Sequence, residues 1–410
     1  MNSPEKYLFV LGSHPSLSVA EVISYFKKNG KKIELSENFL PKALMVSTTD
    51  EIDCNKIMAN LGGVPVIEKV IAETNAINIE EILKLLDFSK RKIKNLGISW
   101  FSFSGTVPNS QIRKFGMELK RKIKTPGLRV VFPSRRGELS SAELFNNNFQ
   151  ENGVAIHIYE TKNGVCVSTA EAVQDIEFYT SRDRLRPKVD PGSGMMPVKL
   201  SQMMVNYSET PEKGIIYDPF CGTGTILMEA LLMGYQILGS DVSKKQVERT
   251  KENLKWLREE FPEDVKLSNE AKIFTANVNV LSYEITQNSL DAIVTEGWLG
   301  PALTNAPSPK DVTQIFDKVA EVISKMLANV KQPLKSGGNV VITLPAFKVG
   351  KRVIRFDAKK RLTTKGYIFD RLLPENLEHP IFRDSASGTL LYGRPDAIVL
   401  RDIIRLKKVG

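Results

Sequence analysis

Cysteine is scarce in this chain: Cys54, Cys166 and Cys221 are the only three among 410 residues, and they lie far apart. Three isolated thiols make neither a disulfide framework nor a zinc site. Long apolar runs are also missing, whereas a membrane-spanning helix needs about twenty apolar residues in a row. The apolar stretch 7–11 is too short for the core of a signal peptide. We therefore expect a cytoplasmic protein that holds no metal and makes no membrane contact.

Acidic residues are nearly absent from one long segment. From Lys90 to Arg136 the chain has thirteen Lys or Arg and a single acidic residue, Glu118, and the whole chain carries a net charge of +10. Such a segment concentrates positive potential on one part of the surface and favours a polyanionic partner. A solvated basic helix face is the competing interpretation. Because the segment crosses several predicted elements, it favours a nucleic acid.

The length and the apolar fraction of 42% indicate a folded protein of two or three domains. Residues 1–75 and 76–175 each alternate short strands and helices, which is typical of two small α+β domains. Residues 176–198, rich in Arg, Pro, Gly and Met, are predicted to be a linker. Residues 199–410 alternate strands and helices regularly, which predicts an α/β domain with a mostly parallel sheet. We expect its last two strands to form an antiparallel hairpin at the sheet edge.

A glycine turn follows the first strand of that α/β domain. The sequence Asp218-Pro-Phe-Cys-Gly222-Thr-Gly224-Thr comes directly after the apolar residues 215–217, at the edge where open parallel sheets bind ligands. Glycines let the backbone approach a ligand, and Asp241, at the end of the next strand, can accept hydrogen bonds from both hydroxyls of a ribose. The third glycine of dinucleotide-binding turns and the lysine of phosphate loops are lacking. S-adenosylmethionine, a nucleoside cofactor without phosphate, fits this combination; glycines that serve packing alone are the alternative.

This turn resembles the first motif of the amino-directed nucleic-acid methylases. Within them, the chain resembles the THUMP-domain family of tRNA guanine-10 N2-methyltransferases over nearly its whole length. Residues 7–12 and 17–21 are similar to the family's N-terminal ferredoxin-like domain, and residues 134–142 sit where a THUMP domain would contact RNA. Residues 182–187 and 196–200 look like the family's lead-in to the catalytic fold.

The resemblance implies ferredoxin-like and THUMP-like α+β domains ahead of a Rossmann-like methyltransferase domain. It also implies transfer of a methyl group from S-adenosylmethionine to the exocyclic N2 of a guanine in tRNA, at position 10. Pro197 and Lys199 either line the cofactor or belong to a plain linker. The residues expected to bind the cofactor are Asp218, Phe220, Cys221, Gly222, Thr223, Gly224, Asp241, Val242, Asn277, Val278 and Glu296.

The catalytic motif of this family departs from its usual form here. In such enzymes the fourth strand ends in an Asp-Pro-Pro-Tyr type sequence. The target amine is a poor nucleophile, and the acid of the motif and a backbone carbonyl accept hydrogen bonds from its two N–H groups. The aromatic residue stacks on the extruded base. In this chain Glu296 falls in the acid position, Gly297 replaces the first proline, and Trp298 reaches the aromatic position if the match slips by one residue. We predict that Glu296, Gly297 and Trp298 form the catalytic motif. A tight turn with Trp298 packed in the core is the alternative.

RNA is the expected partner, because Lys and Arg on phosphates supply affinity for RNA that does not depend on sequence. We expect a monomer, with a small activator subunit left open. An amino-methylase that acts on ribosomal RNA or DNA, and a catalytically inactive RNA-binding protein, remain as alternatives. The residues expected to contact RNA are Arg113, Lys114, Lys120, Arg121, Lys122, Arg135, Arg136, Arg182, Arg184 and Arg186.

Overall fold

The protein is described by a computed structural model that divides into two compact units. The first unit comprises residues 1–15 and 31–178, and the second comprises residues 16–30 and most of the chain from Tyr179 onward. No helix in the described part of the chain is long and apolar enough to cross a bilayer. The structure describes residues 3–36, 40–86, 88, 93–134, 137–162, 164–190, 195–265, 271–278, 285–375, 377 and 388–410.

A single eight-stranded sheet organises the first unit, in the order β2-β3-β1-β4-β8-β7-β5-β6. Neighbouring strands run antiparallel, except that β5 is parallel to both β6 and β7. The strands are β1 (Glu5–Val10), β2 (Glu34–Leu35), β3 (Ala43–Thr48), β4 (Val66–Thr74), β5 (Asn95–Phe101), β6 (Arg129–Val131), β7 (Gly153–Thr161) and β8 (Gly164–Val173). The first helices of the chain are α1 (Pro15–Lys28), α2 (Cys54–Ala59), α3 (Ile79–Leu86), α4 (Asn109–Ile123), α5 (Ser141–Asn146) and α6 (Phe149–Asn152).

This sheet runs through both of the small domains that the sequence predicts. The predicted boundary at residue 75 follows β4 directly, and β4 pairs with β8 from the second predicted segment. Helix α1 is part of the second unit from Ser16 onward. There the Tyr207 hydroxyl donates to the Leu17 carbonyl at 2.8 Å, and the Asn206 amide donates to the Glu21 carboxylate at 2.9 Å.

The second unit contains the predicted α/β sheet, with strand order β11-β10-β9-β12-β13-β17-β15. The five neighbouring strands β11, β10, β9, β12 and β13 run parallel to one another, whereas β17 is antiparallel to β13. The strands are β9 (Ile215–Asp218), β10 (Gln236–Asp241), β11 (Lys272–Thr275), β12 (Leu290–Glu296), β13 (Leu334–Val349), β14 (Arg352–Arg355), β15 (Tyr367–Asp370), β16 (Leu390–Tyr392) and β17 (Val399–Lys408). The remaining helices are α7 (Ile176–Arg184), α8 (Val198–Tyr207), α9 (Thr225–Leu232), α10 (Lys244–Glu260), α11 (Pro309–Val330) and α12 (Ala358–Arg361).

The predicted Rossmann-like fold with an antiparallel edge is confirmed. Strand β15 forms the edge, while β17 lies inside the sheet and also pairs with β16. The segment predicted as a linker contains α7 and the start of α8. Parallel neighbours β9, β10 and β12 all end at the same sheet edge, which is where ligands bind in such folds.

Helix α11 shows how the sequence builds the layer that covers this sheet. Ser308 and Asp311 form a capping box that satisfies free backbone N–H groups at the helix start. Apolar residues at helical spacing, among them Val312, Phe316 and Ile323, are buried against the sheet. Each such buried side chain contributes about 1.5–3 kcal/mol relative to exposure. The helix therefore fixes the position of β12 and of the residues that follow it.

Candidate active site

The glycine turn after β9 adopts a shape that glycine alone accommodates easily. Gly222 and Gly224 have φ values of +52° and +85°. A Cβ on Gly224 would lie 2.8 Å from the Thr250 side chain, whereas one on Gly222 would meet nothing nearer than 4.0 Å. From α10, Thr250 donates to the Gly222 carbonyl at 2.7 Å and Asn253 to the Thr223 carbonyl at 2.8 Å. The turn is therefore held from behind while its backbone at Gly222 stays open to a ligand.

Asp218 links the end of β9 to the end of β12. Its buried carboxyl accepts hydrogen bonds from the Thr295 hydroxyl at 2.5 Å and from the Phe220 backbone N–H at 3.1 Å. Burial raises the pKa of Asp218 to about 7, although both hydrogen bonds favour the charged form. Cys221, next in the turn, is also buried, and burial raises the pKa of its thiol. The thiol is therefore not a reactive group at neutral pH.

Asp241, at the end of β10, is partly exposed beside the turn. One of its carboxylate oxygens accepts from the Gly222 N–H at 3.1 Å, and the other accepts from the Ser243 N–H at 2.8 Å. A carboxylate has about four acceptor positions, so two remain for the hydroxyls of a ribose. Val242 is 71% exposed, and the exposed Asn277 follows the neighbouring strand β11. An open backbone, a partly exposed acid, an apolar surface and an exposed amide fit an adenosyl group.

Val278 follows the same strand and contributes its side chain to the protein core. Its side chain is buried in the core that covers the sheet, and its carbonyl accepts a hydrogen bond from the Asn329 amide at 2.8 Å. A contact between Val278 and the cofactor would therefore have to use its backbone N–H, and the cofactor role of Val278 stays a prediction. An apolar residue at a strand end serves packing here, which the sequence pattern alone could not distinguish from ligand contact.

Glu296 ends β12 and is paired with an arginine from β17. Arg401 Nε donates to Glu296 Oε1 at 2.5 Å. The side chains of Glu296 and Arg401 are 21% and 13% exposed, respectively. Burial raises the pKa of Glu296, and the adjacent Arg401 counteracts that rise. Oε2 accepts no hydrogen bond from any residue that the structure describes, so it is available to a substrate.

The two residues after Glu296 differ sharply in burial. A Cβ on the buried Gly297 would lie 3.0 Å from the Thr343 carbonyl oxygen and 3.1 Å from the Ile323 side chain. The Trp298 side chain, in contrast, is 38% exposed. The alternative in which Trp298 packs in the core is therefore wrong. Glu296 and Trp298 lie at the end of β12, at the same sheet edge as Asp218 at the end of β9 and Asp241 at the end of β10.

Two of the arginines predicted to contact RNA are buried instead. Arg182 is 1% exposed and donates from Nε to Glu229 Oε1 at 2.8 Å and from Nη2 to Glu229 Oε2 at 3.1 Å. Arg186 is 3% exposed and donates to the Thr225 hydroxyl at 2.6 Å. These contacts hold α9, so RNA contact by Arg182 and Arg186 is a wrong prediction. Arg184 is exposed.

The basic residues of α4 present charge on the surface of the first unit. Lys122 pairs with Glu80, and the Arg113 guanidinium lies 5.0 Å from the centre of the Phe132 ring. Arg135 and Arg136 lie outside the described residues. The α4 cations are the exposed Arg113, Lys114, Arg121 and Lys122 and the half-buried Lys120.

Three residues of this site escaped the sequence reasoning: Thr250, Asn253 and Arg401. Thr250 and Asn253 lie on α10 at helical spacing and point to the turn, a pattern that resembles any amphipathic helix. Of the two weaker candidates, Pro197 precedes α8 as its N-cap, and the Lys199 ammonium lies 4.9 Å from the centre of the Tyr179 ring.

Family models and curated relatives agree on the kind of enzyme. A model described as an RMKL-like methyltransferase domain matches residues 186–361, and one described as a DNA methylase matches residues 18–252. A tRNA (guanine(10)-N2)-dimethyltransferase of Methanothermobacter thermautotrophicus is 22% identical over 88% of this chain and 95% of that relative. The probable tRNA (guanine(10)-N2)-dimethyltransferase of Methanothermococcus thermolithotrophicus is 31% identical over 31% of this chain and 74% of its own length.

A solved structure supports the fold along the whole chain. TrmN from Thermus thermophilus superposes with a TM-score of 0.53 at 13% identity, covering 98% of this chain and 100% of that one. This likeness concerns the fold. The match to relatives in sequence, together with the glycine turn, Asp241 and the Glu296–Trp298 segment at one sheet edge, identifies the chain as a member of the tRNA (guanine(10)-N2)-methyltransferase family.

Proposed function

We propose that this protein transfers a methyl group from S-adenosylmethionine to the exocyclic N2 of guanine 10 in tRNA. The observation that carries the proposal is the arrangement at the end of β12. There Glu296 offers a free carboxylate oxygen, and the half-exposed Trp298 follows it, beside the strand that leads into the glycine turn. The relatives' names, which specify tRNA and the N2 of guanine 10, support the choice of substrate.

The cofactor would be held by the turn and by Asp241. When bound, S-adenosylmethionine supplies an electrophilic methyl group. The open backbone at Gly222 accommodates close approach of the ligand, and the remaining acceptor positions of Asp241 take the ribose hydroxyls. The exposed Val242 offers an apolar surface for the adenine, and Asn277 an amide for its exocyclic amine.

Glu296 and Trp298 would act on the target guanine. Its amine is a poor nucleophile because the nitrogen lone pair is delocalised into the ring. Glu296 Oε2 accepts one N–H, stabilises the positive charge that develops on nitrogen as the new N–C bond forms, and takes up the proton that leaves. Trp298 stacks on the base once it is extruded, and the backbone after β12 supplies a second acceptor.

The first unit would supply affinity for the tRNA. The exposed cations of α4 lie on one helix, with Lys114 and Arg121 free of any ion pair among the described residues. Contacts from such groups to phosphates give binding that depends on shape and salt. We propose that the THUMP-like part of the chain uses this surface. Arg135, Arg136 and Arg184 stay proposed RNA contacts in their own right.

Methylation of defined transcripts tests the proposal. An unmodified tRNA with guanine at position 10 and the same tRNA with adenine there are incubated with labelled cofactor, and the nucleosides are separated by mass spectrometry. We expect N2-methylated guanosine from the first transcript alone. Glu296→Gln should abolish most of the product, whereas Glu321→Gln, an exposed change on α11, should leave it unchanged. Label in any other nucleoside, or equal label in both transcripts, would contradict the proposal.

A further inference from the structure

The ion pair between Arg401 and Glu296 joins two residues that lie far apart in the chain but on one face of the sheet. Glu296 lies opposite Thr343 of β13, and Arg401 of β17 lies opposite Pro345, two residues further along β13. Residues at alternate positions share a face, so the arginine reaches across β13 to the acid. On its other side Arg401 lies opposite Tyr392 of β16.

We propose that Arg401 is a positioning residue for methyl transfer. It holds Oε1 of Glu296, so that Oε2 alone is presented to the target amine, and it keeps the carboxylate ionised in a site shielded from water. This inference rests on the proposed function, because the target amine is part of it. Arg401 acts through Glu296 and contacts neither the cofactor nor the reacting atoms.

The geometry makes the pairing specific. Arg401 uses Nε, at 2.5 Å, and one of its terminal nitrogens lies 3.5 Å from the Met195 carbonyl oxygen, in the segment that leads into α8. A guanidinium is planar and presents its N–H donors in a fixed fork, so it orients the carboxylate better than a single flexible ammonium does. Glu296 is thereby oriented before any base arrives.

The charged groups around Glu296 come from few elements. Asp218 of β9 and Glu296 act on each other unfavourably, and Arg401 of β17 is the cation that acts on Glu296. Beyond it, Tyr392 of β16 is acted on by Arg401 and Arg394, which favour its charged form, and by Asp183, which opposes it. Strand β13 lies between and brings no ionisable group, since it offers Thr343 and Pro345 at this point. Loss of Arg401 would therefore leave the carboxylate without its compensating charge.

A change in the pH dependence of methyl transfer follows from this. Transfer requires the ionised Glu296, so its rate falls as pH decreases through the pKa of Glu296. An opposite charge at this distance lowers the pKa of a carboxyl group by about 1–3 units. In Arg401→Gln the acidic limb of the rate profile should therefore move up by about 1–3 pH units, with most of the rate regained at high pH. Arg401→Lys should shift it less, because the charge is kept.

Single-turnover methyl transfer on the guanine-10 transcript, followed across pH with saturating cofactor, is the measurement. Arg355→Gln is the matched control, because Arg355 pairs with Asp402, the residue next to Arg401 on β17 but on its opposite face. In the control variant the acidic limb of the pH–rate profile should stay at the wild-type pH, even if the overall rate is lower. Glu296→Gln should retain only a slow rate without this limb, which separates Glu296 from Asp218. An acidic limb that stays in place in Arg401→Gln would overturn the inference, whatever the rate.

A second measurement does not depend on catalysis. Denaturant unfolding of Arg401→Gln, Glu296→Gln and the double variant gives the coupling between the two side chains. We expect the double variant to be more stable than the two single changes predict, because each single change leaves an uncompensated charge. Additive changes in the free energy of unfolding would contradict a direct interaction between Arg401 and Glu296. If the wild type methylates no tRNA but the coupling free energy between Arg401 and Glu296 is present, the proposed function fails, whereas the ion pair stands.

Discussion

Asp241→Asn is the sharpest test of the cofactor pocket. The two carboxylate oxygens each accept one backbone N–H, from Gly222 and from Ser243, and the proposal assigns their remaining acceptor positions to a ribose. Asn keeps the size but replaces one oxygen with an NH₂ group that cannot accept. At least one charge-assisted hydrogen bond to the ribose is lost, at about 1.5–3 kcal/mol. Affinity for S-adenosylmethionine should then fall by about 10- to 150-fold, since 1.4 kcal/mol is tenfold.

Isothermal titration of the protein with S-adenosylmethionine measures this loss directly. Part of the effect could come from the turn itself, because the substitution also weakens a hydrogen bond to the backbone. Asp311→Asn is the matched control, since Asp311 caps the backbone at the start of α11 and makes no contact with the turn. The control should lose a little thermal stability and no affinity. Affinity of Asp241→Asn within twofold of the wild type would refute the ribose assignment.

Three further changes test the catalytic site and the RNA surface. Burial raises the pKa of Asp218 to about 7, so this group costs the folded state stability as pH rises from about 4 to 7; Asp218→Asn should therefore gain stability relative to the wild type over that range in denaturant unfolding. Trp298→Ala should raise the KM for tRNA more than it lowers kcat, by about 1–3 kcal/mol for a stacked base. An unchanged KM would contradict stacking. Lys114→Ala on α4 should reduce the salt slope of tRNA binding by about 0.7–0.9, and Lys255→Ala on α10 should not; equal slopes for both would refute a specific RNA surface on α4.

The catalytic half of the fold could be predicted because its signals are local. Regular alternation of strands and helices, with glycines and acids at strand ends, predicts a parallel sheet and the edge that binds ligands. The structure has these strands, and β9 (Ile215–Asp218) and β10 (Gln236–Asp241) end at the glycine turn and at Asp241, as predicted. The first half was harder, because its sheet is assembled from distant pairings such as β4 with β8, which no short-range pattern reveals.

The errors in the site have the same origin. Arg182 looks like any surface arginine in the sequence, and its burial depends on Glu229, which lies on another helix 47 residues away. Arg401 gave no signal at all, since its partner Glu296 is 105 residues away and only the order of β12, β13 and β17 brings the two together. A charge count predicts that cations exist on a surface. It does not say which of them the protein uses for its own ion pairs.

The altered catalytic motif is consistent as a packed structure. A glycine follows the acid because the backbone there lies against β13, where a Cβ on Gly297 would be 3.0 Å from the Thr343 carbonyl oxygen. The Glu296 carboxylate accepts a hydrogen bond from Arg401 at 2.5 Å. Burying the exposed part of Trp298 would gain apolar stabilisation, so its 38% exposure is not explained by folding alone. An acid with one oxygen that accepts no hydrogen bond from the described residues, followed by an indole surface open to solvent, suits the guanine amine of the proposed function, and this argues against an inactive protein.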